Sequence, residues 1–209
     1  FLIQNKCNFS EKKPKKFNLN INNWIFNELV KIKKDVETKI KEYRFDEASR
    51  LIYQFVWNSY CDWYLELSKT ILYSNDKQNI KETQDVSGFI FTQILILMHP
   101  FIPFVTEEIW LKNMLDKSGK NYLMFSNWIN EKPIKNNEIK NVENIINFTS
   151  SLRSFKNELN ISPGSFVDVS LSSIKNKKSN FYEKNKNTLK KIARAVSYTH
   201  LRAHETRSD

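Results

Sequence analysis

The chain has 209 residues, 40% of them hydrophobic and 13% aromatic, which is enough to bury one good core and leaves room for a second small unit. Only three glycines and five prolines interrupt it, and its apolar residues fall in long runs, so the composition disfavours a strand-and-turn architecture and predicts a mainly α fold. A formal net charge of +10 points to a polyanion such as nucleic acid or an acidic membrane surface, with lysines that merely solvate helix faces as the alternative.

Cys7 and Cys61 are far apart, which argues against a disulfide framework and against a cysteine zinc site, and fits a reducing cytoplasm. No apolar run reaches the roughly 18 to 20 residues of a membrane span, so a cytoplasmic chain without a membrane partner is expected. Phe1-Leu2-Ile3 reads as the end of an element whose beginning is missing, the mark of a fragment. Residues 196–209 abandon the Lys/Asn/Ile style. The string Ser197-Tyr198-Thr199-His200-Leu201-Arg202-Ala203-His204 within them resembles translated sequencing-adapter read-through, so this segment is set aside as a non-native tail.

After a polar, proline-punctuated connector over 8–20, the residues Ile25, Leu29, Ile32, Val36, Ile40 and Tyr43 recur at spacings of three and four, with Asn22 or Asn23 as N-cap. Asp46 is the expected cap of a second helix running without glycine or proline to Leu72. Ala48, Leu51, Ile52 and Phe55 fill one stripe of it, and Val56, Tyr60, Trp63, Tyr64 and Leu67 an adjacent one, as in a helix packed between neighbours. The segment from Val86 to Met98 is apolar on all sides and must be buried; Pro100 is expected to end it and to push His99 out of helical geometry. Pro103 opens the next helix, with Glu107 and Glu108 early in it and Trp110 inward.

A turn around Ser118-Gly119 and a short extended piece from Tyr122 to Phe125 follow. In a further helix Val142, Ile145, Thr149, Leu152 and Leu159 form the stripe and leave Arg153 and Lys156 off it. Val167, Val169 and Leu171 then alternate with polar residues as in a half-buried strand, for which no partner remains before the tail. A last helix is expected from Asn180 to Ala193. Three domains result: a helical one over 1–130, a partial helix-strand-helix unit over 131–195, and the tail.

No pair of glycines at 88, 119 and 164 has the spacing of a phosphate-cradling loop. No Ser/His/Asp or Cys/His set assembles, and the adjacent Glu107 and Glu108 diverge around the helix. No catalytic residue, metal site or cofactor is therefore expected in this chain.

The run Val56-Trp57-Asn58-Ser59-Tyr60-Cys61-Asp62-Trp63-Tyr64-Leu65-Glu66-Leu67-Ser68-Lys69 resembles the signature of the anticodon-binding domain of valine–tRNA ligases, which are class I aminoacyl-tRNA synthetases. Met98-His99-Pro100-Phe101-Ile102-Pro103 through Trp110, and Leu152-Arg153 through Gly164, resemble neighbouring family blocks. Isoleucine– and leucine–tRNA ligases share the proline-containing junction but not the Cys61-Asp62-Trp63-Tyr64 string.

The resemblance implies a helical bundle of the class I anticodon-binding type, and the partnerless strand after it reads as the start of a small α/β unit. It also implies a monomeric parent whose catalytic and editing domains, using ATP and Mg²⁺, lie elsewhere in the same polypeptide, and valine-accepting tRNA as partner. The anticodon-binding region of an isoleucine– or leucine–tRNA ligase, and a basic helical protein-interaction bundle without RNA specificity, are the competing readings.

RNA loops are held by stacking on aromatic or Arg planes and by Lys and Arg on phosphates. On that ground Phe9, with Lys6, Lys12 and Lys13 around it, is the leading candidate, unless it is tucked back on the core as a staple. Arg50, Lys69 and Arg153 lie off the stripes as further candidates, or as solvated or paired charges. Trp57, Trp63, Tyr64 and Trp110 are expected to be core, and with Cys61, Asp62, Glu66, Pro100 and Pro103 to be structural parts of the family signature.

Overall fold

The structure, a computed structural model, describes residues 1–113, 122–172 and 179–201. It is mainly α and divides into two compact units, Phe1–Ile139 and Lys140–Asp209. The expected turn at Ser118-Gly119 and the end of the suspected tail, 202–209, lie outside the described residues.

In the first unit, α1 (Asn20–Lys41) buries Ile25, Leu29 and Val36 as its spacing predicts. Its start differs from expectation. Neither Asn22 nor Asn23 caps it, and Leu19 in the cap position offers no side-chain acceptor. The Glu82 carboxylate instead anchors the turn leading into the helix, accepting from the Asn18 and Leu19 N–H groups at 3.0 and 2.9 Å. The Asn22 side chain is itself buried inside the helix bundle and donates to the same oxygen. Tyr43, expected on the stripe, is 83% exposed. The helix has already ended, and Tyr43 takes a left-handed conformation at φ 59° while Arg44 N–H closes back onto Lys39 O at 2.9 Å.

The second helical run comprises α2 (Phe45–Gln54), a π-wound segment (Phe55–Tyr64) and α3 (Leu65–Leu72). Asp46 lies in its first turn, where an acid suits the helix dipole, and Arg44 holds the cap position. The π winding, marked by Leu65 N–H reaching back to Tyr60 O, has no counterpart in the periodicity and covers most of the signature run. Phe55, Tyr60, Tyr64 and Leu67 occupy the inside.

The helix α4 (Lys77–Met98) is the centre of the unit, buried almost all round from Val86 to Leu97. Asp76 caps it by accepting from Gln78 and Asn79 N–H at 3.0 and 3.1 Å. It stops at Met98, but His99 keeps helical angles, φ −53° and ψ −41°. The residue before a proline is only disfavoured there, and His99 N–H is held by Leu95 O at 3.0 Å. Its Nδ1 lies 2.8 Å from Thr106 Oγ1 of α5 (Pro103–Asn113), a packing role. Trp110, Leu95, Ile96 and Leu123 close a small cluster at this end. The piece at Tyr122–Phe125 is a 3₁₀ turn (Leu123–Phe125) instead of extended chain, because its N–H groups bond three residues back and Leu123 is drawn into the cluster.

The compact unit runs on to Ile139, beyond the expected limit at 130. Side chains of α1 explain this: Asn27 exchanges two hydrogen bonds with the Ile134 backbone, at 2.9 and 2.7 Å, and Asn20 pairs with Asn136 and Glu138.

The second unit contains α6 (Ile139–Glu158), β1 (Val167–Ser172), α7 (Ser179–Ala193) and β2 (Ala195–Leu201). Val142, Ile145 and Thr149 are buried as expected, but Leu159 is 54% exposed and Lys156, expected off the stripe, is 2% exposed. Lys156 Nζ donates to Ser165 O and Ala193 O, at 2.8 and 3.2 Å, and its burial lowers its pKa. The strand expected to lack a partner has one. It pairs in parallel with β2, Val169 opposite Tyr198 and Leu171 opposite His200, across the α7 crossover. Half-buried strands must satisfy their N–H and C=O groups, and Val196, Tyr198 and Thr199 of the set-aside segment have strand-forming side chains.

Candidate nucleic-acid interface

The connector leading to α1 is laid along α4. Asn8 N–H donates to Gln84 O at 3.3 Å, and Gln84 Nε2 donates back to Asn5 O at 2.8 Å. Gly88 makes the approach possible: a Cβ there would stand 2.1 Å from Asn8 O and 2.5 Å from its carbonyl carbon, so no larger residue fits without displacing backbone. Cys7 is buried beside Ser87, and burial pushes its thiol up to about 11 against the pull of the Ser87 hydrogen bond.

Beyond this anchor the chain is basic. Lys12, Lys13, Lys15 and Lys16, with Lys81 from α4, line a groove of about 530 Å³ that also includes Asp85 and Glu82. Lys13 is already engaged, 3.0 Å from Glu131 and with Nζ 4.4 Å from the centre of the Phe26 ring. Lys81 pairs with Asp85 at 2.8 Å. Lys12, Lys15 and Lys16 are exposed and make no ion pair among the described residues. Lysines exposed together on one surface have the charge and reach to contact successive phosphates.

The floor beneath the groove is a polar chain running into the signature helix. Glu82, 4% exposed, holds Asn22 Nδ2 at 2.9 Å; Asn22 Oδ1 accepts from Tyr64 Oη at 3.0 Å; Tyr64 Oη lies 3.1 Å from Ser87 Oγ; and Tyr60 Oη donates to Ser87 O at 3.2 Å. Burial pushes both phenols above their ordinary range, so they act as neutral donors. The signature tyrosines thus fix the end of the connector through Glu82 and do not meet solvent.

Of the sequence candidates, Lys12 and Lys13 come together in the groove. Phe9 is half-buried, with its ring centre 5.8 Å from that of Phe91. Lys6 is exposed at φ 55°. Lys69 pairs with Glu66, its Nζ 5.9 Å from the centre of the Phe1 ring. Arg50 stands on α2, and Arg153 belongs to the second unit. Lys15, Lys16 and Lys81 were missed; the first two were legible as a continuation of Lys12-Lys13 past Pro14, whereas Lys81 needed the tertiary fold.

Among the signature residues Tyr64 and Trp110 are buried, Trp63 and Cys61 are half-buried, and Asp62, Glu66, Pro100 and Pro103 are exposed. Trp57, expected in the core, is 56% exposed and stacks on Tyr53, also exposed, with rings 4° from parallel and centres 6.2 Å apart. The inward positions of this run are taken by Phe55, Tyr60 and Tyr64, which leaves Trp57 outside.

The family model described as anticodon-binding domain of tRNA ligase matches residues 22–171. The valine–tRNA ligase of Pelagibacter ubique is 52% identical over 195 residues, covering 93% of this chain and 22% of that protein. That of Zymomonas mobilis is 32% identical over 206 residues, 94% of this chain and 23% of that protein, and that of Buchnera aphidicola 34% over 174 residues, 81% and 18%. The chain spans about one-fifth of the length of these curated relatives. Among the described residues no helix is long and apolar enough to cross a membrane.

Proposed function

We propose that this chain, which belongs to the family of anticodon-binding domains of tRNA ligases, is the part of a valine–tRNA ligase that grips the anticodon stem and loop of valine-accepting tRNA. The observation that carries this reading is the shared valine–tRNA ligase naming of relatives whose matching segment is this same bundle, and the lysine groove gives it a physical means. The parent is a monomeric cytoplasmic enzyme, where the thiols of Cys7 and Cys61 stay reduced. Activation of valine with ATP and Mg²⁺, and editing, belong to other parts of that polypeptide.

The grouping of exposed lysines on an anchored connector supports a division of labour. Lys12, Lys15 and Lys16 hold phosphates of the loop, with Lys6 and Lys69 as further contacts from the same unit, while Gly88 and Glu82 keep the connector in one path so that the lysines are presented together. Phosphate contacts give affinity without sequence preference. Anticodon preference arises from bases splayed onto the bundle, and binding energy gained here positions the distant acceptor end for the reaction.

The test is binding of the whole chain to tRNA with a valine anticodon, and to the same tRNA with the anticodon changed, across a salt series. The three groove lysines on single-stranded phosphates contribute about −2 to the log–log salt slope, further cations add to it, and a preference for the valine anticodon is expected. Equal binding to both tRNAs would reduce the chain to a non-specific RNA binder. Absence of salt-sensitive binding would favour a protein-interaction bundle.

A further inference from the structure

We infer that Tyr53, Trp57 and Arg50 form a stacking site for an unpaired nucleotide of the tRNA, on a face separate from the lysine groove; this rests on the RNA-binding reading above. Arg50, Tyr53 and Trp57 follow at spacings of three and four, which sets them on one side of the helix. Tyr53 is 64% exposed and Trp57 56%, and their rings are 4° from parallel. Two large aromatic rings are held flat to each other and stand mostly open to solvent instead of entering the core.

Beside them lies an open groove of about 490 Å³, lined by Ile52, Val56, Met98, Phe101 and Ile102 together with Tyr53, Ser49 and Arg50. Its one charged lining residue is Arg50, which makes no ion pair among the described residues. A flat apolar slot with one unpaired guanidinium and no carboxylate among its described lining selects the occupant by chemistry. The base of a nucleotide offers the π face that aromatic and apolar walls accept, and its phosphate offers the anion that a guanidinium takes in fork geometry. An ordinary apolar protein segment would leave Arg50 without an anion, and an acidic peptide would lack the flat faces.

The experiment measures tRNA affinity of the whole chain with Trp57→Ala, Tyr53→Ala, Trp57→Phe and Arg50→Gln, alongside thermal midpoints. Loss of a stacking ring is expected to weaken binding about 5- to 150-fold with the midpoint unmoved, and Trp57→Phe to restore most of the loss because a flat ring remains. Arg50→Gln is expected to lower the salt slope by about one phosphate's share; the two alanine variants leave the slope as it is. If the parent chain binds tRNA and the alanine variants bind equally well, the stacking site is wrong and the anticodon-domain reading stands. Should the parent bind no tRNA at all, both fail together. Concentration-dependent self-association that disappears in Trp57→Ala while RNA binding persists would assign this face to a second copy of the chain and overturn the nucleotide.

Discussion

Two aromatic pairs of the bundle reverse the roles that their sequence surroundings suggest. Phe9 sits among Asn, Ser, Glu and Lys, yet it is half-buried against Phe91 on the central helix. Trp57 sits inside the most apolar run of the second helix, yet it stands open to solvent on Tyr53. The difference teaches that exposure follows from what a residue's backbone is tied to. The Phe9 backbone is pressed against Gly88, with hydrogen bonds to α4 at Asn8 before it and at Glu11 after it, and its ring turns to the core side. Trp57 belongs to a helix whose inner positions are already filled.

The largest effect should come from breaking the tie under Phe9. Gly88→Leu places side-chain atoms where Asn8 O now lies and should cost roughly 3 kcal/mol, read by urea unfolding. The same variant should free Cys7: in the parent, burial holds the thiol at about 11, so it stays protonated and slow toward a thiol reagent at pH 8, whereas the displaced connector should react at the rate of an exposed thiol. The pH trend has a definite sign. The folded chain keeps the Cys7 proton that the unfolded chain begins to lose near 9.0, so this contribution to stability is complete below that value and is lost as pH rises toward 11.

Phe9→Ala removes a half-buried ring and should cost about 1 to 2 kcal/mol, less than a fully buried phenylalanine. If Phe9→Ala leaves stability unchanged and abolishes RNA binding, the ring is a base platform and the contrast with Trp57 collapses. Tyr43 sharpens the comparison from another side, as an exposed aromatic held by neither core nor stack. Tyr43→Gly relieves its left-handed backbone and should raise stability by roughly 0.5 to 1 kcal/mol, measurable as a higher urea midpoint. Trp57→Ala should change stability by less than about 0.5 kcal/mol; a larger loss would show that its stack on Tyr53 supports the fold.

Much of the bundle was legible in the residues. The unbroken apolar run of α4, the three-to-four spacing of α1 and the proline at the start of α5 each impose a local geometry that tertiary packing respects. What could not be read depended on distant partners. Gly88 is an unremarked helix residue until the connector lies on it, and Glu82 looks like a surface charge until the start of α1 meets it. The π winding hides because the change from the Ala48–Phe55 stripe to the Val56–Leu67 stripe reads equally well as a second apolar face of one α-helix. Lys156 was misplaced for a related reason: a lysine is assigned to solvent by type, but here two backbone carbonyls wait for its ammonium. The lysine groove was half visible, since its connector lysines are adjacent in sequence while Lys81 arrives from α4.

The anchor that Glu82 supplies also sets an order of events during synthesis. Its partners Asn18 and Leu19 precede it by 64 and 63 residues, so the turn leading into α1 leaves the ribosome with these N–H groups bonded only to water. At ordinary elongation rates this lasts roughly 3 to 13 seconds. The entry to α1 therefore remains frayed until α4 emerges and docks, and the path of the lysine-bearing connector is settled only at that moment, when Glu82 closes a loop of more than sixty residues and Asn8 meets Gln84.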